Sequence, residues 1–348
     1  IEQSAALWSL DTFARASPTD SRAAINVAIR QGIQNIESVR IDGSHWDLMP
    51  YLGTHYISQY ALMLRWLGRT KTDLDENRLK QELITSQLKD GSWQTVSDPN
   101  AASGDLNATI FNYWALKSMG ISEVDPRLKR AWSFVINQGG IEKSSVFTKI
   151  FLALAGQYDW DNIPSIPALL FEPWSPVKPS DFGQWIGPHL LPMSYLSRRE
   201  IARSPPTLAN VRELYVDSDR SPPLELHMTV AQSAPISSTD ESLIEQMIAA
   251  QQPRGSLGGY TLATLLAQLA VDDYLRSKPE KRTALEPYIE RSFDFIEDLS
   301  FRSGDESAYK GVTCNGKLWD TALMGIALNE AGVDERAMKP VADFLAKQ

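Results

Sequence analysis

Apolar residues return along the chain at helical spacing of three and four, and each run gives way to a glycine-containing turn before the next begins. Between Ser21 and Ile36 the residues Ile25, Ala28, Ile29, Ile33 and Ile36 share one helical face, and Gly43-Ser44-His45-Trp46 closes the segment. The run from Thr54 to Gly68 carries Ala61, Leu62, Leu64 and Leu67, with glycine where a left-handed helix cap is wanted. The pattern therefore predicts a unit of helix, Gly-Ser turn and helix.

That unit recurs. A second copy runs from Glu76 through Leu79, Leu83 and Ile84 to Gln87, crosses Asp90-Gly91-Ser92-Trp93 and resumes as helix from Asp105 to Gly120. A third starts at Arg127 with Ala131, Trp132, Phe134 and Val135, reaches Gln138-Gly139-Gly140 and continues from Val146 to Gly156, with Ile141 in the tryptophan's place. A fourth extends from Glu241 through Leu243, Met247 and Ile248 to Gln252, crosses Pro253-Arg254-Gly255-Ser256-Leu257 and resumes from Tyr260 to Tyr274. A fifth begins near Leu285 and resumes at Leu318-Trp319-Asp320-Thr321, running to Gly332. In a repeated chain each unit buries its apolar face against its neighbours, so the expected fold is all-α and built of helix pairs.

A sixth run, Lys339 to Gln348, stops on the glutamine that elsewhere introduces Gly-x-Trp. Arrays normally end in a capping repeat, so the expectation is of a chain broken off inside a unit. It opens at Ile1 without a methionine, a basic n-region or a cleavage site, which places the expected start upstream. Between Asp161 and Thr239 the repeat lapses, and this interval holds 12 of the 20 prolines, so wrapping loop is expected there. One helix is expected within it, over Phe182 to Arg198, bent by Pro188 and Pro192.

The turn has a physical logic. Its glutamine ends one helix and can bond the exposed backbone of a neighbouring helix end, glycine permits the tight turn, and tryptophan covers the join. Trp46 and Trp93 are accordingly structural rather than catalytic.

Composition narrows the chemistry. The 43% hydrophobic fraction is ordinary for a globular protein of 348 residues, and a net charge of -9 with basic residues interleaved among acids disfavours nucleic acid. A single cysteine, Cys314, excludes an internal disulfide and a thiolate zinc cage and suits a reducing compartment. The longest apolar run, Val146 to Gly156, is interrupted by Lys149 and is too short to span a bilayer.

Gln-x-x-x-Gly-x-Trp repeats between paired helices resemble the QW motifs of the squalene-hopene and oxidosqualene cyclases, the triterpene branch of the class II terpene cyclases. The resemblance rests on Gln87–Trp93 with Asp105-Leu106-Asn107-Ala108-Thr109, on Gln138 to Thr148, on Asp181-Phe182-Gly183-Gln184-Trp185, on Arg212-Glu213-Leu214-Tyr215 and on Leu318-Trp319-Asp320-Thr321. These blocks follow the order of the N-terminal half of a bacterial squalene-hopene cyclase. The resemblance implies a pair of α/α barrels, with residues 1–300 forming the N-terminal one, interrupted at 161–239, and 301–348 beginning a second.

It also implies an isomerase that protonates a polyene and closes rings through carbocations in a dry, aromatic-lined cavity. The acid in that family is an Asp-x-Asp-Asp motif of the C-terminal barrel, which this chain lacks, so no catalytic residue is assigned and the chain alone is expected to be inactive. Ala270-Val271-Asp272-Asp273 lacks the first Asp and Asp159-Trp160-Asp161-Asn162 the last, and they read as an ordinary solvated helix face and a turn. By their places in the matching blocks, Trp319, Trp185, Phe147 and Phe151 are the expected substrate-binding residues, Phe151 standing where the family often has tryptophan.

The implied partners are an isoprenoid substrate (squalene or a shorter prenyl chain), the C-terminal barrel, a second copy in a homodimer and a membrane surface on the cytoplasmic side. Against the last, Ser221–Ser238 is short, Pro-broken and polar where the family carries an apolar docking helix. No cofactor or metal is expected, since neither a magnesium-diphosphate signature nor a metal-ligand spacing of His45, His55, His189 and His227 is present. Each histidine reads as surface or satisfied core. Gly255-Ser256-Leu257-Gly258-Gly259 follows no strand and reads as a decayed repeat turn rather than a phosphate loop. A non-catalytic helical-repeat scaffold that binds a lipid or partner is the alternative from another class.

Overall fold

The computed structural model describes residues 18–47, 53–96, 100–183, 185–217, 235–302 and 316–347. Cys314, His227, Gln184 and Gln348 lie outside them, as does most of the polar stretch before Ser238. The described residues contain twelve α-helices: α1 (Pro18–Ser38), α2 (His55–Leu67), α3 (Glu76–Thr85), α4 (Leu106–Ser118), α5 (Pro126–Asn137), α6 (Val146–Leu154), α7 (Gly187–Arg199), α8 (Ser238–Ala249), α9 (Thr261–Ser277), α10 (Arg282–Glu297), α11 (Lys317–Glu330) and α12 (Glu335–Leu345). The fold is all-α, and β-structure among the described residues is limited to isolated bridges such as Trp93 with Asp105. The chain divides into two compact units, residues 50–315 and residues 1–49 with 316–348.

Within the 50–315 unit the helices form two layers. Nearly every residue of α2, α4, α7 and α9 is buried, whereas α3, α5 and α10 bury one face only, the pattern of inner and outer helices. The inner helices neighbour one another in the order α6, α4, α2, α9, α7. Phe147 of α6 meets His189 of α7 through their rings, 5.5 Å between centroids, and this contact closes the inner series into a ring. The outer helices seat between inner ones, α3 against α2 and α4, and α8 against α7 and α9. Alternating inner and outer helices around a closed ring is an α/α toroid.

The repeat turns are clamps of one design. Gln87 donates from Nε2 to the carbonyls of Gly91 (2.9 Å) and Arg127 (3.0 Å), and its Oε1 accepts from Arg130 (3.2 Å). Gln251 donates to Gly255 (3.2 Å) and Tyr288 (2.8 Å), and its Oε1 accepts from Arg291 (2.6 Å). In each case the glutamine satisfies an orphan carbonyl and gains a charge-assisted bond three residues further along the neighbouring helix. The fourth copy is thus anchored by Gln251, six residues before Leu257 as Gln87 is before Trp93. Gln252 is not the anchor; its Oε1 accepts from Ser256 inside the turn.

Tryptophan and threonine complete the clamp. Trp93 donates its indole N–H to the Leu83 carbonyl (2.7 Å) and its backbone N–H to Thr109 Oγ1 (3.2 Å). Leu257 keeps the second bond, its backbone donating to Thr264 Oγ1 (2.9 Å), although it has lost the indole. Trp93 is 1% exposed, so its N–H pays for burial by reaching a carbonyl.

In the unit of residues 1–49 and 316–348 the same geometry is assembled from distant sequence. Trp46 donates its indole N–H to the Ile36 carbonyl (2.8 Å) and its backbone N–H to Thr321 Oγ1 of α11 (3.1 Å). Trp46, Leu328 and Val341 form the buried centre, packed by Ile33, Ile36, Met324 and Met338, and His45 stacks on Phe344 with 4.7 Å between ring centroids. Ile25 and Ile29, expected on the same apolar face of α1, are exposed, because only the last turns of that helix reach Trp46.

Candidate functional site

The expected helix over Phe182 to Arg198 begins later, at Gly187, because Pro188 lacks an N–H and fits only the first turn. Phe182 belongs instead to a short 3-10 turn, Pro179–Phe182. Ser194 of α7 donates to the Ile166 carbonyl (2.8 Å), pinning the proline-rich segment against the helix. The α9 side approaches so closely that a Cβ on Gly258, whose φ is +64°, would lie 2.2 Å from Pro188 Cγ. Only glycine fits there.

This convergence sets His189 among aromatic rings. Its Nδ1 lies 2.6 Å from the Trp185 carbonyl. Phe147, Trp185 and Tyr260 surround the imidazole with centroid separations of 5.5, 6.1 and 5.6 Å. The side chain is 4% exposed, and burial lowers its pKa, opposed by the bond to the Trp185 carbonyl, which favours the protonated ring. The imidazole is therefore neutral at pH 7, and since a carbonyl can only accept, Nδ1 carries the proton.

Gly187, Pro188 and Leu191 also face a cavity of about 500 Å³, bounded opposite by Phe171, Ala250 and Leu257. Its walls are mostly apolar and its volume falls in the range of roughly 300–1,000 Å³ usual for small-molecule sites. The first turn of α7 thus serves both the cavity and the ring cluster.

The four expected substrate-binding residues are placed differently. Phe147 and Trp185 come together on His189. Phe151 is buried edge-on against Phe111, 5.3 Å between centroids, beside a void of only about 10 Å³. Trp319 lies on α11 in the other unit and is 68% exposed. His189 was expected as surface or satisfied core and Tyr260 as the start of a repeat helix, so neither was a candidate site residue. The usable signal was the four-residue spacing of Trp185 and His189.

Behind the cluster, α7 and α9 are joined by a buried network. Asp273 accepts from Tyr195 (2.8 Å) and from Arg199 (2.9 Å), with both ion-pair side chains at most 3% exposed. Burial and the adjacent Asp273 charge push the Tyr195 phenol pKa up, so it stays a donor. Asp273 is therefore not on a solvated helix face; the close packing of α7 on α9 encloses it, and Arg199 compensates its charge. Asp159 does belong to a turn, accepting from the backbone of Asp161 (3.0 Å). Among the described residues no group of three or more His, Cys, Asp or Glu is placed to hold a metal ion, and no helix is long and apolar enough to cross a membrane.

The family model for the squalene-hopene cyclase N-terminal domain matches residues 37–237. The chain is 30% identical over 334 residues to the squalene-tetrahymanol cyclase of Tetrahymena thermophila, covering 92% of this chain and 49% of that protein. It is 32% identical over 160 residues to the squalene–hopene cyclase of Alicyclobacillus acidocaldarius, covering 45% of this chain and 25% of that protein. To the squalene–hopene cyclase of Zymomonas mobilis it is 26% identical over 332 residues, covering 86% and 48%. The chain thus spans about half, or less, of the length of these relatives.

Proposed function

The chain belongs to the squalene-hopene cyclase N-terminal domain family, and from that premise we propose that it supplies the barrel and part of the aromatic cavity wall of a proton-initiated polyene cyclase. The observation that carries the reading is the ring cluster of Phe147, Trp185 and Tyr260 at the closure of the inner helices, beside an apolar cavity. Aromatic faces stabilise carbocations through their quadrupole, and a dry site delays capture by water.

The substrate in this reading is an isoprenoid polyene, squalene or a shorter prenyl chain. Phe147 and Trp185 contact it directly. Phe151 backs the wall from the core, and Trp319 is proposed as a further substrate residue only by its place in the Leu-Trp-Asp-Thr block. The acid that starts the reaction comes from a C-terminal barrel, because the chain contains no Asp-x-Asp-Asp. Residues 1–300, with their interruption at 161–239, then make up the N-terminal barrel region and 301–348 the beginning of the second. Peripheral contact with the cytoplasmic face of a membrane and pairing into a homodimer complete the proposal.

The test is to incubate the protein, together with the acid-bearing barrel, with squalene and separately with shorter prenyl diphosphates, and to resolve products by mass spectrometry. Cyclic isomers of unchanged mass are expected from one of these. Recovery of every substrate unchanged would overturn the reading.

A further inference from the structure

The cluster contains one group that an inert cation-binding wall does not need. Phenylalanine, tryptophan and tyrosine rings already offer negative faces, yet their common neighbour is an imidazole. The Trp185 carbonyl takes the Nδ1 proton, which leaves Nε2 with its lone pair free to accept. Among the described residues no hydrogen bond engages Nε2, while Nδ1 is held by the Trp185 carbonyl. A neutral, oriented base thus sits within a set of cation-stabilising rings.

We propose that His189 is the base that ends the cyclisation, its Nε2 removing a proton from the cyclised cation held against Phe147, Trp185 and Tyr260. This rests on the cyclase reading above. In the step, a C–H bond next to the cationic carbon breaks, its electron pair becomes the new carbon–carbon double bond, and the proton forms the Nε2–H bond. The resulting imidazolium is held by the same ring faces until it returns the proton to water as product leaves. The product is an alkene, and the alcohol formed by water capture is the competing outcome.

Two substitutions separate base from scaffold. His189→Gln retains an amide N–H that can donate to the Trp185 carbonyl but provides no basic nitrogen, and His189→Phe retains only the ring. With the acid-bearing barrel present and squalene as substrate, both variants should lower the ratio of alkene to alcohol and prematurely ended products at least tenfold. Restoration of the wild-type ratio by His189→Gln would overturn the inference and leave a positioning role. Wild-type cyclisation with ratios unchanged in both variants would likewise overturn it, while the cyclase reading stands. No cyclisation by the wild type would overturn the cyclase reading itself. A readout independent of activity is nitrogen NMR of histidine-labelled protein, which should show His189 at pH 7 as the neutral Nδ1–H tautomer; the Nε2–H tautomer overturns the inference.

Discussion

His189 Nδ1 donates to the Trp185 carbonyl across one helical turn at 2.6 Å, joining a buried imidazole to the residue whose indole is 56% exposed. The bond orients both rings. It spans the start of α7, where Pro188 and Gly258 fix the approach of α9, so the geometry of the cluster is set by backbone packing rather than by flexible side chains.

The clamp glycines should be sharply intolerant while a helical glycine is not. A Cβ on Gly255, at φ +97°, would lie 1.9 Å from the Arg291 carbonyl oxygen, whereas one on Gly32 within α1 meets nothing within 4 Å. Gly255→Ala is expected to destabilise by about 3 kcal/mol or more, since left-handed strain adds to overpacking. Gly32→Ala should stabilise by about 0.5–1 kcal/mol through helix propensity. Urea unfolding of the two variants measures both, and equal effects would contradict the clamp geometry.

The two neighbouring aspartates of α9 should behave unequally. Asp273 is enclosed with Arg199, whereas Asp272 pairs with Arg203 (3.1 Å) and with Arg276 (2.8 Å), the latter half exposed. Asp273→Asn removes the carboxylate that the buried Arg199 pairs with and should cost about 3–5 kcal/mol. Asp272→Asn should cost about 1 kcal/mol, as partly exposed ion pairs do. Unfolding curves check the order of the two.

His55 makes stability depend on acidity. Burial lowers its pKa from 6.5 to about 4, opposed by the Asp105 charge, and its Nδ1 is buried without a partner. Between pH 4 and 6.5 the unfolded chain binds more protons at this site than the folded one, so stability rises with pH across that window. The contribution is complete above pH 6.5 and falls by up to about 3 kcal/mol as pH drops toward 4. His55→Leu should remove that part of the slope in denaturant unfolding measured from pH 4 to 7. An unchanged slope would show that the group titrates normally.

Much of the fold was legible because its signal is local. The seven residues from Gln87 to Trp93 carry the glutamine, glycine and tryptophan of the clamp, and helical spacing on either side marks what it joins. The decayed fourth copy misled by one position, since Gln251 and Gln252 are adjacent and only the partner carbonyl of Tyr288 distinguishes them. The site was less legible. Phe147 and Trp185 could be carried over from matching blocks, but the partners of His189 lie 42 residues before it and 71 after it, and no local pattern links them. Asp273 was hidden for the same reason, its counter-ion standing 74 residues earlier on α7. Contacts made by closing a ring of helices leave no spacing in the sequence.

The most direct test of the account compares two exposed tryptophans of the same proline-rich region, Trp185 and Trp174, which are 56% and 70% exposed. Trp185 belongs to the ring cluster on His189; Trp174 makes no ring contact with it. Each is replaced by alanine in protein supplied with the acid-bearing barrel, and the products from squalene are resolved by mass spectrometry. Trp185→Ala should shift the products toward prematurely ended rings by tenfold or more, while Trp174→Ala keeps the wild-type profile. Identical profiles for both variants and the wild type would contradict the assignment of this cluster as the cavity wall.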